Sequence, residues 1–468
     1  MMAKGADSRP GPFPCARVDC RPAPAVDRPC GIEEESFMKV TKLGALAVGA
    51  ALVLSACGPG ATTAPGSAGG GGSKGTLKIA IDLPLQGSDK QSSDPMINGI
   101  KLAVKEASAA STAGTDFGGY ALTVDPILDD ALNGTHDPQT GAKNMQTAVA
   151  DPNIVALIGP LNSSVAKAEI PITNEAGLLQ CSPANTNEGL TKPEFGALDI
   201  RKAHPDKINY VRVVTTDDKQ GPAAAQFIIQ VLKKTKVYVI DDTETFGKGI
   251  ADNFVKEFQA EGGTVVARDG APKTTSDYTP LLTAAKAKGP EAVYFGGVTG
   301  TGGGIIRKQM AQVGMGDIPY VGPDGIQDGT VETSGTFLNI AGAAAKGSYS
   351  SLAAIGDFPA KKDFDAKYTA EYNLAPTGYS ATGYACAQVV LAALKAVLKT
   401  APSDMAALRE AVRASAVNPA TNYDTILGTI HFDANGDTSQ LIVSFYKAPD
   451  PLKGDWVFDS QVDFGAKK

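Results

Sequence analysis

Residues 155–164 read Val-Ala-Leu-Ile-Gly-Pro-Leu-Asn-Ser-Ser, an apolar run that stops at a Gly-Pro turn and a pair of serines. The apolar side chains at 155–158 are typical of a buried strand. The amphipathic pattern of 164–175 predicts a helix that begins directly after the turn. A buried strand that leads into a helix is the repeating unit of a parallel α/β sheet.

The same order of strand and helix continues on both sides of this unit. Further strands are predicted over 77–82, 236–241, 264–268, 292–295 and 320–321, and further helices over 99–109, 249–260, 279–288, 304–313, 384–398 and 405–415. This alternation predicts parallel sheets with helices on both faces, whose strands end at one edge where small ligands bind. A chain of 468 residues exceeds one core, so we expect two lobes with a cleft between them.

Two other segments have the composition of turns. The runs 427–432 and 440–446, separated by Asp-Ala-Asn-Gly-Asp at 433–437, predict a β-hairpin that adds strands to one lobe. The glycine-rich segment 296–304 lacks the Gly-Lys-Ser/Thr ending of a phosphate-binding loop and the spacing G-x-G-x-x-G. It therefore predicts a strand-to-helix turn that lines the cleft.

Residues 38–56 have the pattern of a secretory signal peptide, with a basic start and an apolar run that is too short to span a bilayer. The run ends in Leu-Ser-Ala-Cys, which resembles the lipobox of bacterial lipoproteins and predicts a lipid on Cys57. A buried core helix is the alternative interpretation. Residues 57–75, rich in Gly, Ala and Ser, predict a tether, and 1–37 are predicted to be a mis-assigned gene start or a disordered extension.

The charged and reactive residues exclude several classes of function. The chain has 43 basic and 50 acidic residues, and this negative balance argues against nucleic acid as a partner. Its three histidines, His136, His204 and His431, include no pair at metal-ligand spacing. We therefore expect no metal site, no cofactor and no enzyme activity. Cys181 and Cys386 form either two buried thiols or one disulfide, and thiols are preferred because sequence alone cannot bring them together.

Several segments, in order along the chain, resemble the leucine/isoleucine/valine-binding group of type I periplasmic binding proteins, which serve ABC transporters. They are 157–164, 182–187 with 190–191, 241–247, 322–325 and 428–437. The resemblance covers roughly residues 76–457. It implies an α/β fold of two Rossmann-like lobes joined by a hinge of three chain crossings. The expected boundaries are 76–205 plus 350–419 for lobe one, and 206–349 plus 420–468 for lobe two.

Two candidate binding segments follow strands of lobe one. Ser163 and Ser164 follow a strand and open a helix, where hydroxyls and free backbone N–H groups stabilise a carboxylate. The alternative is that Ser163 only caps the helix. The resemblance implies that Asn185 binds the ligand through its backbone and Thr186 also through its hydroxyl. An ordinary turn is the alternative interpretation of these two residues.

Asp324 is the predicted partner for an ammonium group. It lies in a Pro-Asp-Gly turn after a strand of lobe two, where the family resemblance implies an acidic residue. An ammonium group buried in a closed cleft requires an anionic partner. Together with Ser163 and Thr186, this aspartate predicts a clamp for a zwitterion with one pole on each lobe.

The resemblance also implies a side-chain pocket. The matching positions hold Ser92, Phe246, Val298 and Tyr379, and three of them lack the tyrosine that the family often has there. This loss of hydroxyl groups predicts a pocket that is more apolar or larger than that of a leucine binder. Core packing is the alternative interpretation of the three larger side chains.

These features predict an extracytoplasmic, lipid-anchored, monomeric solute-binding protein. It would capture a branched-chain or other amino acid, or an amide-like solute, and deliver it to a membrane permease with its ATPase. The lipid would be its only contact with the membrane. A sensory module that binds a similar solute is the alternative function.

Overall fold

The computed structural model describes residues 74–111, 116–400 and 402–465. The predicted signal segment, the lipidation site Cys57 and nearly all of the predicted tether lie outside these residues.

The described chain contains strands and helices in alternation. The strands are β1 Thr76–Leu83, β2 Ala121–Asp129, β3 Ala131–Leu132, β4 Thr135–His136, β5 Ile154–Ile158, β6 Leu179–Ser182, β7 Tyr210–Arg212, β8 Lys236–Asp241, β9 Thr264–Gly270, β10 Ala292–Gly296, β11 Tyr320–Gly322, β12 Ser348–Leu352, β13 Tyr423–Thr425, β14 Gly428–Ile430, β15 Ile442–Lys447 and β16 Val457–Asp463. The α-helices are α1 Lys90–Ala110, α2 Pro138–Ala150, α3 Ser163–Glu175, α4 Asp217–Gln226, α5 Thr245–Ala260, α6 Thr279–Lys286, α7 Gly303–Gln312, α8 Phe337–Ala341, α9 Lys361–Tyr372, α10 Gly378–Val397 and α11 Met405–Ala416.

Two sheets form the centres of two lobes. The first is a parallel sheet in the order β2-β1-β5-β6-β7. The second has the order β16-β15-β12-β11-β10-β8-β9, in which the pairs β12–β15 and β15–β16 are antiparallel and the other pairs are parallel. Every residue of β5 is buried, as expected for a strand covered by helices on both faces.

Helix α10 is the central helix of lobe one. With the turn that follows it, Gly378–Thr400 is long and apolar enough to cross a membrane by length and composition alone, but 72% of its most apolar window is buried in the protein. It packs against α1 and contributes side chains such as Val389 and Leu394 to the lobe's core. The helix begins at Gly378, earlier than the predicted residue 384, and this places Tyr379 in its first turn.

The late hairpin is not formed as predicted. Strand β14 pairs with β13, and both pack on the core of lobe one, whereas β15 pairs with β12 and β16 in lobe two. Only an isolated bridge joins Phe432 to Thr438 across the turn. The alternating pattern predicted these strands but not the strands with which they pair, because each run can also pair with a strand other than its expected hairpin partner.

The sheet memberships also differ from the expected lobe boundaries. Strand β7 belongs to the first sheet although it was assigned to lobe two, and β12 belongs to the second sheet although the expected boundary fell after its second residue. The pair β13–β14 packs on lobe one although it was assigned to lobe two. The chain passes between the sheets three times, after β7, after β12 and before β15.

These three crossings bond to one another. The N–H of Thr215 in the first crossing donates to the carbonyl oxygen of Ala353 in the second, at 2.8 Å. The hydroxyl of Ser444, just after the third crossing, donates to the carbonyl oxygen of Ala354 and accepts from the N–H of Gly356, both at 2.8 Å. The crossings therefore form one connected hinge.

A disulfide joins Cys181 on β6 to Cys386 on α10, so the preference for two thiols was wrong. Both residues are fully buried in the core of lobe one. The bond closes a loop with a sequence separation of 205 residues, and a crosslink across a long loop restricts the unfolded chain.

We expect the double variant Cys181→Ala/Cys386→Ala to fold but to lose about 2–4 kcal/mol of stability. Thermal unfolding of both proteins with and without reductant measures this loss. Reductant should lower the Tm of the natural protein towards that of the variant and leave the variant unchanged. An unchanged Tm after complete reduction would contradict a stabilising role for the bond.

Candidate ligand site between the two lobes

Seven of the nine predicted binding residues line a single cavity between the lobes. They are Ser92, Ser163, Thr186 and Tyr379 from lobe one, and Phe246, Val298 and Asp324 from lobe two. Ser164 and Asn185 are not among the lining residues. The elements that carry these residues end or begin at the edges of the two sheets that face each other.

The start of α3 forms one pole of the cavity. Asn162 precedes the helix in an extended conformation, and its side chain makes no capping hydrogen bond. Ser163, the first helical residue, is buried and lines the cavity together with Asn162. The hydroxyl of Thr186 is also buried and lies beside the carboxyl of Asp217. The N–H groups at a helix start and a hydroxyl suit an anionic group.

Asn185 has a structural role in this conformation. Its side chain accepts a hydrogen bond from the hydroxyl of Tyr210 at 2.9 Å and donates to the carbonyl oxygen of Leu161 at 2.8 Å. Its own carbonyl oxygen accepts from the guanidinium of Arg212 at 3.1 Å. Its N–H donates to the hydroxyl of Ser182 at 2.9 Å, so both backbone groups through which Asn185 was expected to bind the ligand are engaged, and Asn185 supports the segment that carries Thr186.

Arg212, which sequence reasoning missed, holds this segment in place. The guanidinium is fully buried at the end of β7 and forms an ion pair with Asp437 at 2.7 Å. It also donates to the carbonyl oxygen of Asn187 at 2.8 Å and to the hydroxyl of Thr191. The turn 433–437, predicted as the tip of a hairpin, instead presents Asp437 to this arginine.

Asp324 forms the opposite pole. Its carboxylate is buried and accepts hydrogen bonds from the amide of Gln220 at 2.8 Å and from the hydroxyl of Tyr379 at 2.7 Å. Burial raises the pKa of Asp324 to about 6, although these two hydrogen bonds favour the charged form. The carboxylate is therefore largely ionised at neutral pH. It forms no salt bridge with any residue in the described part of the chain.

The bond between Tyr379 and Asp324 crosses the cleft, because the tyrosine belongs to lobe one and the aspartate to lobe two. In this conformation the lining side chains leave about 20 Å³ of free volume, close to what one water molecule needs. A larger ligand therefore requires the lobes to separate before it enters.

The rest of the lining is more polar than predicted. Asp89, missed by sequence reasoning, lies 2.7 Å from Nδ1 of His136, and Asp328 accepts from the N–H of Phe337 at 2.9 Å. Burial raises the pKa of Asp328 to about 8. Ser88 also lines the cavity. Sequence reasoning missed these side chains because the sequence between the motifs gave no sign of them, and the comparison with a leucine binder's pocket stays a prediction.

A different group of acids lies in lobe one outside the cavity. Asp82, Asp130 and Glu169 are fully buried, and one carboxylate oxygen of each lies within 4.8 Å of the others. Such a set of oxygens has the chemistry to bind a hard cation. The closeness of the Asp82 and Glu169 carboxyls instead favours a proton on one of them.

The electrostatics of this acid cluster favour protons. Burial, together with the nearby carboxylates, raises the pKa of Asp130 and of Glu169 well above the ordinary range. Burial likewise raises the pKa of Asp82 to about 7. Within the described part of the chain, neither oxygen of Asp130 has a hydrogen-bond partner. A carboxyl that stays protonated avoids most of the cost of burying a charge.

The sequence model of the periplasmic binding protein family matches residues 76–447. The match covers most of the chain, so the chain belongs to the periplasmic binding protein family, and the predicted membership is confirmed. It is a solute-binding protein, and its family places it outside the cytoplasm.

Relatives and solved structures agree with this assignment. The Leu/Ile/Val-binding protein homolog 2 of Brucella abortus is 28% identical over 373 residues, which cover 79% of this chain and 90% of that protein. A leucine-binding protein of Thermotoga maritima has a TM-score of 0.68 at 23% identity and covers 83% of this chain and 99% of its own. The branched-chain amino acid transporter substrate-binding protein of Streptococcus pneumoniae, in complex with isoleucine, has a TM-score of 0.66 at 23% identity and covers 82% and 100%. These structures confirm the predicted two-lobe α/β fold.

The acid cluster of Asp82, Asp130 and Glu169 should make stability depend on pH. In the unfolded chain these carboxyls lose their protons near pH 4, whereas the folded chain keeps them to higher pH. The folded state thus binds more protons in this window, so stability falls as the pH rises from about 4 through the pKa of Asp82, about 7. We expect Asp130→Asn, which removes one buried acid, to reduce this fall and to raise the Tm at pH 8 by a few degrees.

Thermal unfolding at pH 5 and pH 8 measures this effect, with Asp317→Asn, an exposed aspartate, as the control. The same pH dependence in Asp130→Asn and the natural protein would contradict the assignment. A Tm of the natural protein that falls on chelation, and a lower Tm of Asp130→Asn at both pH values, would indicate a bound cation instead.

Proposed function

We propose that the protein captures a branched-chain or other small amino acid, or an amide-like solute, in the cleft and delivers it to an ABC permease and its ATPase. One observation carries the proposal: the buried carboxyl of Asp324 on lobe two and the start of α3 on lobe one line the same cavity. The names of the relatives as Leu/Ile/Val-binding proteins support the ligand class.

The two poles give the cleft a mechanism. The ligand carboxylate accepts hydrogen bonds from N–H groups and hydroxyls at Ser163 and Thr186, and the ammonium binds Asp324. Gln220 and Tyr379 hold the Asp324 carboxylate in its charged form and in a fixed orientation. Because each lobe supplies one pole, only the closed cleft satisfies both, and the hinge closes around the zwitterion.

We also propose where in the cell the protein works. The signal-like segment 38–56 and the lipobox-like ending at Cys57 support a lipid anchor outside the cytoplasmic membrane. The protein then works as an anchored monomer that hands its solute to the permease. The names of the related transporter components favour this role over a sensory module.

A thermal-shift screen of the full chain tests the ligand class. A ligand that binds only the folded state raises the Tm by mass action. We expect leucine, isoleucine or valine to raise the Tm, and isopentylamine, which is leucine without its carboxylate, to leave it unchanged. Shifts only with amides, or only with carboxylates that lack an amine, would keep the fold but overturn the ammonium role of Asp324.

Asp324→Asn should weaken the binding of the amino acid by about 30-fold or more, because the buried ammonium loses its anionic partner. Calorimetry with leucine measures the loss, and Asp317→Asn, an exposed acid of the same lobe, is the matched control. Affinity for 4-methylpentanoate, which has no amine, should not fall in Asp324→Asn. An unchanged leucine affinity would remove Asp324 from the site.

Ser163→Ala should weaken leucine binding less than Asp324→Asn does. The backbone N–H groups at the start of α3 stay in place and continue to hold the carboxylate. A loss as large as that of Asp324→Asn would show that the hydroxyl, and not the helix start, carries the interaction.

A further inference from the structure

A second cavity lies between the lobes beside the hinge. It encloses about 290 Å³, at the lower end of the range for small-molecule sites, ~300–1,000 Å³. Leu352 and Ile355 of the second crossing form part of its wall. It shares no lining residue with the cavity that contains Asp324.

Aromatic side chains from both lobes surround this hinge cavity. They are Phe358 and Phe364 from lobe one, and Tyr446, Trp456 and Phe458 from lobe two. Phe458 is 39% exposed although it is a large apolar side chain. Aromatic faces attract cations and stack on rings, so such walls suit a ligand that is aromatic, cationic or both.

Four buried polar atoms of the lining residues have no hydrogen-bond partner among the residues that the structure describes. They are Oε1 of Gln327, Oδ1 of Asp365, Oγ1 of Thr377 and Nε1 of Trp456. A buried polar atom without a partner costs free energy that a bound ligand can recover. The oxygens of Gln327 and Asp365 can only accept hydrogen bonds, and the hydroxyl of Thr377 can also accept one. The indole N–H of Trp456 is the one group that must donate. The set therefore favours a ligand rich in donors.

The charges of the lining favour a cation. Lys361 donates to Oδ2 of Asp365 at 2.7 Å, which leaves Oδ1 of the same carboxylate free. A second acid, Asp455, also lines the cavity, and burial raises its pKa to about 6. With two acids and one lysine, the lining is net negative at neutral pH.

We propose that the hinge cavity is a second binding site, specific for a small aromatic ammonium ion. The ring stacks among the aromatic side chains, and the ammonium donates to Oδ1 of Asp365 and to the oxygens of Gln327 and Thr377. The cation also neutralises the negative charge of the lining that Lys361 alone does not balance.

The geometry connects this site to the cleft. Thr377 and Tyr379 lie at the start of the same helix, α10, and the first lines the hinge cavity while the second binds Asp324. Likewise Gln327 directly follows the single turn Asp324–Ile326, which begins with the aspartate. An occupant that contacts both lobes beside the hinge stabilises one arrangement of the lobes. When the solute in the cleft binds that same arrangement, each ligand raises the affinity for the other by the same factor.

The direct test is calorimetry of the full chain with 2-phenylethylamine, which lacks the carboxylate that the start of α3 would bind. We expect binding to the natural protein and at least tenfold weaker binding to Asp365→Asn. Asp363→Asn, an exposed acid on the same helix, is the matched control and should bind normally. 3-Phenylpropionate, of similar size but opposite charge, should not bind.

A third variant separates this site from the cleft. If Asp324→Asn abolishes binding of 2-phenylethylamine and Asp365→Asn does not, the probe occupies the cleft and the second site is refuted. No binding to the natural protein, or equal binding of 3-phenylpropionate, also overturns the proposal. Neither result bears on the binding of leucine, so the failure of one proposal is distinguishable from the failure of the other.

The coupling rests on the proposed function and has its own readout. With leucine in the cleft, we expect 2-phenylethylamine to bind several-fold more tightly, and leucine to gain the same factor when the amine is present. Equal affinities with and without the second ligand would overturn the coupling while leaving the site itself intact.

Discussion

The hinge and the cleft both depend on the ion pair and hydrogen bonds of one buried guanidinium, that of Arg212. It lies at the end of β7, where the chain leaves lobe one, and its ion pair with Asp437 joins it to the segment that precedes the third crossing. The same side chain bonds to the carbonyl oxygens of Asn185 and Asn187, on either side of Thr186. A charge buried this deeply is tolerated only when its donors are satisfied. The first and third crossings and the position of Thr186 are therefore fixed by one residue.

This arrangement explains how the carboxylate pole of the cleft stays rigid although it lies next to a hinge that bends. Because Arg212 belongs to the first sheet and its partners all lie on the same lobe, the carboxylate pole moves as one body with lobe one. The hydrogen bonds between the crossings, from Thr215 to Ala353 and between Ser444 and Ala354, lie just beyond it. Bending is thus confined to short segments, while the two poles of the cleft keep their internal geometry.

Sequence reasoning predicted both poles, because alternation places Ser163 and Asp324 at the edges of sheets and the family resemblance singled out Asp324 among the turn residues. It missed what depends on distant partners. The pairing of β15, the ion pair of Arg212 with Asp437 and the disulfide of Cys181 with Cys386 join residues far apart in the sequence. Asp89 and Asp328 were missed because no local pattern separates a cleft aspartate from an ordinary turn residue.

The chain buries many acids, and their hydrogen bonds decide which of them can serve a ligand. Neither oxygen of Asp130 has a donor, and burial among other acids raises its pKa well above the ordinary range, so it stays neutral. Asp324 is as deeply buried, but two neutral donors, Gln220 and Tyr379, stabilise its charged form and hold its pKa to about 6. Neutral donors orient a carboxylate without cancelling its charge, so the attraction for a cation is retained. An acid that is buried, ionised and bonded only to neutral groups is therefore what distinguishes this cleft from the acidic core of lobe one.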